Sequence, residues 1–216
     1  MSGIIFVNRN GLRWRDAPAA YGPHKTLYNR WKRWSEAGVF VRMMEGLSDA
    51  QAERRTVMID ATYLKAHRTA SSLRAKKGGL GRLIGRTKGG MNTKLHAVTD
   101  ANGRPISLFV TAGQVSDYTG AAALLDSLPR AQWLLGDRDY DADWFRDALE
   151  AKGIHLASPD VKPAPSPSGM TSADKRRNRI EIMFGCLKDW RRVATRYDRC
   201  PNVFLSAIAL AATVLF

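Results

Sequence analysis

The chain is poor in the residues that mark secreted, zinc-binding and membrane-spanning proteins. Its 216 residues include only two cysteines, Cys186 and Cys200, and four histidines. Neither cysteine lies in a paired zinc-ligand spacing, so reduced thiols in the cytosol are favoured over a disulfide framework. The longest apolar run, FLSAIALAATVLF at 204–216, is too short to span a bilayer and predicts a buried helix. The N-terminus shows no signal peptide, and we expect a cytoplasmic protein.

Acidic residues are also scarce relative to basic ones. The chain has 20 Asp and Glu against 34 Lys and Arg, which gives a net charge of +14 and a pI of about 10.2. These cations are spread along the whole sequence, which favours a broad surface that contacts a polyanion over a single basic tail. A ribosomal or membrane-surface protein could carry the same charge, so charge alone leaves the partner open.

The first 50 residues read as a small helical region, and residues 51–216 as an α/β domain. Apolar residues recur at helical intervals from Leu27 to Met43, with Gly38 as an interruption. This pattern predicts two short helices joined by a turn. Two interpretations stay open: a helix-turn-helix that contacts DNA, and a helical hairpin that packs on the core.

The remaining pattern predicts a mixed sheet with helices on its faces. A strand at 57–59 ends at Asp60, and a basic loop without periodicity is expected over 70–90. The alternating segment 93–113 contains an Asp-Ala-Asn-Gly turn and predicts a hairpin. The expected elements that follow are a helix capped by Ser116, a strand ending at Asp137, a helix over 141–153, a strand over 154–157 and an irregular Pro- and Ser-rich segment over 158–172.

The stretch RNRIEIMFGCLKDW, at 177–190, predicts an amphipathic helix. At about 100° per residue, Arg177, Glu181 and Lys188 share one narrow stripe beside the apolar face. On this helix alone, an ordinary surface stripe with an i,i+4 ion pair between Arg177 and Glu181 is the better explanation.

Three acidic side chains are expected to converge on one edge of this fold. Asp60 and Asp137 follow neighbouring strands, and Glu181 lies on a helix packed alongside. Three carboxylates repel one another unless a cation lies between them, and oxygen ligands suit Mg²⁺ or Mn²⁺. Two such ions can clamp the attacking and leaving oxygens of a phosphodiester, with Arg177 and Lys188 near the phosphate. Each aspartate also has a simpler explanation, as a turn former or helix cap.

Five ordered blocks resemble the DDE-type transposases of bacterial insertion sequences, which have an RNase H-like core. These blocks are YGPHKTLYNRWKRWSEAGVF, MIDATYLKAHRTA, GGMNTKLHAVTDANGRPISLFVTAGQVSD, LLGDRDYDADWFRDAL and RNRIEIMFGCLKDWRRVATRYDR. Arg177, Glu181 and Lys188 match the family spacing Arg-x3-Glu-x6-Lys. The resemblance implies that Asp60, Asp137 and Glu181 bind the metal ions, and that Arg177 and Lys188 contact DNA.

The same resemblance implies hydrolysis at the ends of an insertion sequence, followed by attack of the freed 3′-hydroxyl on target DNA. It implies double-stranded DNA as the partner and a homodimer on paired ends. It also implies two Mg²⁺ or Mn²⁺ ions as cofactors and no nucleotide cofactor. A nucleoid-associated protein is expected. The N-terminal region matches the family's DNA-binding part, and its candidate DNA contacts are Lys25, Arg30, Lys32 and Arg33.

The chain also departs from the family pattern. Asp174 occupies a position where the family has Tyr, and Asp139 one where a small residue is common. The sequence also begins and ends inside expected elements, so a truncated or decayed copy is expected. Two alternatives to an active transposase are therefore kept: a related nuclease of the same fold, and an inactive DNA-binding remnant that regulates transposition.

Overall fold

The computed structural model describes residues 1–49, 55–71, 81–126, 128–157 and 171–216. Three helices open the chain: α1 (Ser2–Asn10), α2 (His24–Glu36) and α3 (Val39–Asp49). Gly38 separates α2 from α3 with a φ of 65°, in the left-handed region that glycine adopts without strain. The two helices expected here are therefore present, with the turn where the sequence predicts it.

A mixed sheet with flanking helices follows, as the sequence predicts. Its strands are β1 (Thr56–Ala66), β2 (Gly85–Thr87), β3 (Gly90–Asp100), β4 (Pro105–Ala112), β5 (Trp133–Leu135), β6 (His155–Ala157) and β7 (Thr195–Arg196). The helices that accompany it are α4 (Arg68–Ser71), α5 (Asp117–Leu125), α6 (Asp143–Glu150), α7 (Thr171–Lys188), α8 (Arg191–Ala194) and α9 (Pro201–Leu215). Among the described residues, no helix is both long and apolar enough to cross a membrane.

Strand β1 is the centre of the sheet. One edge pairs antiparallel with β3 from Val57 to Lys65, and β3 continues into the β4 hairpin. The other edge pairs in parallel with β5 over Thr56–Met58 and with β7 over Lys65–Ala66. An antiparallel hairpin on one side of a central strand and parallel strands on the other agree with the expected RNase H-like class.

Two hydrophobic clusters cover the two faces of the sheet. Because side chains alternate along a strand, Met58 and Leu64 enter one cluster while Val57 and Ile59 enter the other. The first cluster contains the apolar faces of α7 and α9, and the second contains those of α5 and α6. The predicted burial of the final helix is confirmed, since Phe204 and residues 207–212 are buried.

The N-terminal helices share the first of these clusters. Ile4, Trp31, Phe40 and Met44 are almost fully buried in it, and α3 packs against α9. Of the two interpretations of residues 1–50, packing of a helical hairpin on the core is therefore confirmed. Contact with DNA by the same helices is compatible with it and stays a prediction.

Several predicted element boundaries were wrong. Asp60 does not end a strand, because β3 continues to pair with β1 as far as Lys65 and satisfies its backbone. The expected loop over 70–90 contains β2, which pairs with the start of β3. A helix follows Ser116 as expected, and it ends at Leu125. Residues 72–80 and 158–170, where a basic loop and an irregular segment are expected, lie outside the described residues.

Candidate active site

Asp60 lies on β1, and Asp137 lies two residues after the end of the neighbouring parallel strand β5. Met58 pairs with Leu135, so each aspartate is two residues beyond the last registered pair. The backbone N–H of Gly136 still donates to Ala157 O at 3.3 Å, which keeps the chain along the sheet up to Asp137. Side chains two residues apart along a strand share a face, and neighbouring strands are about 4.8 Å apart, so we infer that the two carboxyl groups belong to one surface.

This surface lies where one edge of β1 changes partners. β5 pairs with β1 only as far as Met58, and β7 begins only at Lys65. Asp60 therefore occupies the stretch of β1 between the two parallel partners. Its Oδ1 accepts a hydrogen bond of 2.7 Å from Ala61 N, and its side chain is half-buried.

Helix α7 packs against β1, and side-chain hydrogen bonds attach it to β1 at Lys188 and to the turn between β3 and β4 at Arg179. Lys188 Nζ donates to Thr62 Oγ1 at 2.7 Å, two residues from Asp60 on the same face. Arg179 Nη1 donates to Asn102 Oδ1 at 3.0 Å in the turn between β3 and β4. Burial lowers the pKa of Lys188. Lys188 is therefore close to Asp60 along β1, and its contact with DNA stays a prediction.

Of Arg177 and Glu181, the other two residues of the predicted stripe, Glu181 alone has a side chain within the described part of the structure. The apolar face of α7 is buried as predicted, with Ile180, Phe184 and Leu187 in the first cluster, but Glu181 is exposed. The backbone of Arg177 belongs to α7, and its side chain lies outside the described part of the structure, as does that of Asp174.

The oxygen ligands expected for Mg²⁺ or Mn²⁺ are only partly assembled. Asp60 and Asp137 are suitable donors on one surface. Within the described ranges, however, no three or more Asp, Glu, His and Cys side chains form a group that could hold a metal ion. The donor set thus fits a divalent cation at the aspartate pair, without Glu181 completing it.

Tyr140 is a buried neighbour of the aspartates that the sequence did not single out. It is 1% exposed, and its hydroxyl has no hydrogen-bond partner among the described residues. Burial raises the pKa of Tyr140 far above its ordinary value, and the negative charges of Asp117 and Asp60 raise it further. In the sequence, the position of Tyr140 three residues after Asp137 is the only sign of this proximity.

A second polar cluster lies on the opposite face of the sheet. Lys94 Nζ is 3.1 Å from Asp117 Oδ1, and His96 Nε2 is 2.9 Å from Thr111 Oγ1. His96 is fully buried in β3. Asp117 is the first residue of α5 and also forms an ion pair with Lys94. The sequence gives no sign of this ion pair, because the two residues belong to different elements.

The four N-terminal candidate DNA contacts lie on the solvent side of α2. Lys25, Arg30, Lys32 and Arg33 are all exposed. Arg30 lies over the Trp34 ring at 5.6 Å, and Lys32 is 3.8 Å from Glu36. The buried side of the same helix carries Leu27 and Trp31 into the core.

Comparison with known proteins decides the family. Residues 51–216 match the family model described as "Transposase DDE domain". The chain belongs to the DDE transposase family. Residues 1–44 match a second model, described as "Putative transposase of IS4/5 family". Members of the DDE transposase family are metal-dependent enzymes that act in transposition, which agrees with the function expected from the sequence.

Individual relatives agree with this assignment. The chain is 35% identical to "Putative transposase for insertion sequence element IS6501" of Brucella ovis, over 58% of this chain and 98% of that protein. It is 29% identical to "Putative transposase for insertion sequence element IS402" of Burkholderia cepacia, over 57% of this chain and 62% of that protein. The catalytic core domain of BIV integrase aligns with a TM-score of 0.45 and 15% identity, over 76% of this chain and 84% of that structure.

Proposed function

We propose that this DDE transposase cleaves DNA at the ends of an insertion sequence and joins the freed ends to target DNA. Asp60, Asp137 and Glu181 are the proposed metal-binding residues, with two Mg²⁺ or Mn²⁺ ions as the proposed cofactors. The observation that carries the proposal is the matched position of Asp60 and Asp137 beyond the Met58–Leu135 pair. Carboxylate oxygens are the ligands that Mg²⁺ and Mn²⁺ prefer in proteins.

The proposed reaction has two displacements at phosphorus. Water attacks a phosphodiester at the element's end, and the bond to the 3′-oxygen breaks. The 3′-hydroxyl that results attacks a phosphodiester of target DNA, and the target strand's own 3′-oxygen leaves and takes up a proton. Divalent cations held by the carboxylates supply charge neutralisation and activation of the attacking oxygen. Lys188, attached to Thr62 at 2.7 Å, supports the proposal because its ammonium is held beside this surface, where it can bind a phosphate. Arg177 is proposed as a second phosphate contact.

The proposed partner is double-stranded DNA, bound by a homodimer in the bacterial nucleoid without a nucleotide cofactor. Residues 1–50 are the proposed recognition region, with Lys25, Arg30, Lys32 and Arg33 as its phosphate contacts, and residues 51–216 are the catalytic domain. The solvent exposure of all four cations on α2 supports this division of roles.

Asparagine substitution of the aspartates tests the proposal. Asp60→Asn and Asp137→Asn should each lower strand joining of a labelled element end by at least about 100-fold, because the charge that binds the cation is lost while the shape is kept. Asp139→Asn is the matched control, since Asp139 is exposed and lies two residues from Asp137. Full joining by Asp60→Asn would contradict the proposal, and cleavage without joining by the unsubstituted protein would indicate a nuclease.

An inactive DNA-binding remnant is the second candidate function. It is favoured by the exposure of Glu181 and by the lack, in the described part of the chain, of a third carboxylate grouped with the aspartate pair. Glu181→Gln distinguishes the two candidates. A transposase loses strand joining with this substitution, whereas a remnant shows no joining before or after it and unchanged affinity for the element end.

A further inference from the structure

The face of β1 opposite to Asp60 carries a row of exposed polar and aromatic side chains. Tyr63, Lys65 and His67 occupy every second position, so they lie on one face of the strand and of its continuation. Tyr63 is 51% exposed and Lys65 is also exposed. This row begins where the second hydrophobic cluster, which contains Ile59, ends.

Tyr197 extends the row sideways from β1 to β7. Ala66 pairs with Arg196 in parallel, and the backbone N–H of His67 donates to Arg196 O at 2.9 Å. The next residues, His67 and Tyr197, therefore lie side by side, with ring centroids 4.8 Å apart. Tyr197 is 42% exposed. We call Tyr63, Lys65, His67 and Tyr197 the tyrosine face.

Both tyrosine rings of this face are supported by a protein group. Lys94 Nζ lies 4.9 Å from the centroid of the Tyr63 ring and is itself paired with Asp117 at 3.1 Å. His67 supports the Tyr197 ring, and its Nδ1 is 2.9 Å from Thr69 Oγ1. Rings that are held in this way lose little conformational freedom when they bind a ligand.

The charge around the tyrosine face is positive. Lys65, Arg68 and Arg199 are exposed, and no acidic side chain among the described residues forms an ion pair with any of them. Asp198, which lies nearby in sequence, is directed instead to the buried Arg192 at 3.4 Å. Exposed rings with cations beside them match the chemistry of a nucleic acid strand, whose bases stack and whose phosphates are anionic.

We propose that the tyrosine face binds an unpaired DNA strand, with bases stacked on Tyr63 and Tyr197 and phosphates beside Lys65, Arg68 and Arg199. This inference rests on the proposed action on DNA and adds a second contact surface to it. The bases of a duplex are stacked on one another and offer no free face along its length, so the rings select unpaired bases. Such bases arise where a DNA end is frayed or distorted.

Fluorescence anisotropy with the full chain in EDTA tests the proposal. Its probes are a labelled single-stranded DNA of about 15 nucleotides and the corresponding duplex. Tyr63→Ala and Tyr197→Ala should each weaken single-strand binding by about 5- to 100-fold, the range for loss of one stacked base. Tyr197→Phe keeps the ring and should retain affinity. Duplex binding should change by less than about twofold in all three variants.

Trp144→Ala is the matched control, because Trp144 is 42% exposed and lies on α6 beside Asp143 and Asp147. Its single-strand affinity should equal that of the unsubstituted protein. The proposal would be overturned if both alanine variants kept their affinity for the single strand, or if they lost affinity for the duplex equally. An RNA strand of the same sequence is a third probe, and a loss of affinity confined to it would also overturn the proposal. Because EDTA removes divalent ions, Asp60→Asn should bind the strand normally, so failure of catalysis and failure of the tyrosine face are measured separately.

Discussion

His96 shows how a single buried side chain makes folding depend on pH. Burial, and to a smaller extent the neighbouring Lys94 ammonium, lowers the pKa of His96 from 6.5 to about 4. Asp117 faces the same ring, with its Oδ1 4.0 Å from His96 Nδ1. Between pH 6.5 and 4 the unfolded chain therefore binds a proton at His96 that the folded chain does not bind.

We expect the free energy of unfolding to fall as the pH is lowered from 6.5 to 4, by up to about 3 kcal/mol from His96 alone. Urea unfolding at several pH values measures this loss. His96→Asn should remove that share of the pH dependence, whereas His155→Asn, at an exposed position on β6, should keep it. Equal slopes in the unsubstituted protein and His96→Asn would contradict the assignment.

At the scale of elements, the turn between β3 and β4 fixes the position of helix α7, which packs against it. Gly103 has a φ of 84°, and a Cβ added there would lie 2.9 Å from Arg179 O. The turn is otherwise held by Asp100 Oδ1, which accepts bonds from Asn102 N at 2.8 Å and Arg104 N at 2.9 Å. Only glycine satisfies both the backbone conformation and the close approach of α7.

Gly103→Ala should destabilise the protein by about 2–4 kcal/mol, from strain at positive φ together with the clash against α7. Gly153→Ala is the matched control. Gly153 has a φ of 70° but nothing within 4 Å of an added Cβ, so only about 1–2 kcal/mol of strain is expected. Chemical denaturation of both variants compares the two costs, and equal losses would show that the α7 contact adds nothing.

Local sequence patterns predicted the helices and turns whose conformation depends on residues close in sequence. The Asp100 turn, the apolar face of α7 and the burial of α9 each depend on residues close in sequence. Pairing between distant segments was harder to predict. β7 is two residues long and exists because it pairs with Lys65 and Ala66, and β2 exists because it pairs with β3.

The candidate site likewise contains residues with a local sequence signal and contacts that depend on distant segments. The sequence predicts Asp60 and Asp137 as site residues through their places beside apolar strands, and both lie two residues beyond the Met58–Leu135 pair. The hydrogen bond between Lys188 and Thr62 spans 126 residues and has no local signal. The buried hydroxyl of Tyr140 likewise depends on how α5, the sheet and the Asp137 segment pack together.

At the scale of the whole molecule, the net charge of +14 should dominate binding to DNA. Each phosphate that is neutralised releases about one counterion, so affinity for duplex DNA should fall steeply between about 50 and 200 mM salt. Equilibrium titrations at several salt concentrations measure the slope of log K against log [salt]. An affinity that is flat over this range would contradict a binding mode based on phosphate contacts.

Substitutions on α2 test whether its cations contribute to this salt dependence of DNA binding. Lys25→Gln and Arg33→Gln should each reduce its magnitude by about one, as expected when a single phosphate contact is lost. Lys152→Gln, at an exposed position after α6, is the control and should leave the slope unchanged. Loss of affinity without a change of slope would indicate that the α2 cations act through the fold rather than through phosphates.

The shared core also bears on how the DNA preference of such an enzyme can be altered. Ile4, Trp31, Phe40 and Met44 belong to the same hydrophobic cluster as α7 and α9. Grafting a foreign DNA-binding module in place of residues 1–49 would therefore uncover the inner faces of α7 and α9. Retargeting by exchange of modules would require the graft to reproduce these four side chains, whereas changes confined to the outer surface of α2 leave α7 and α9 covered.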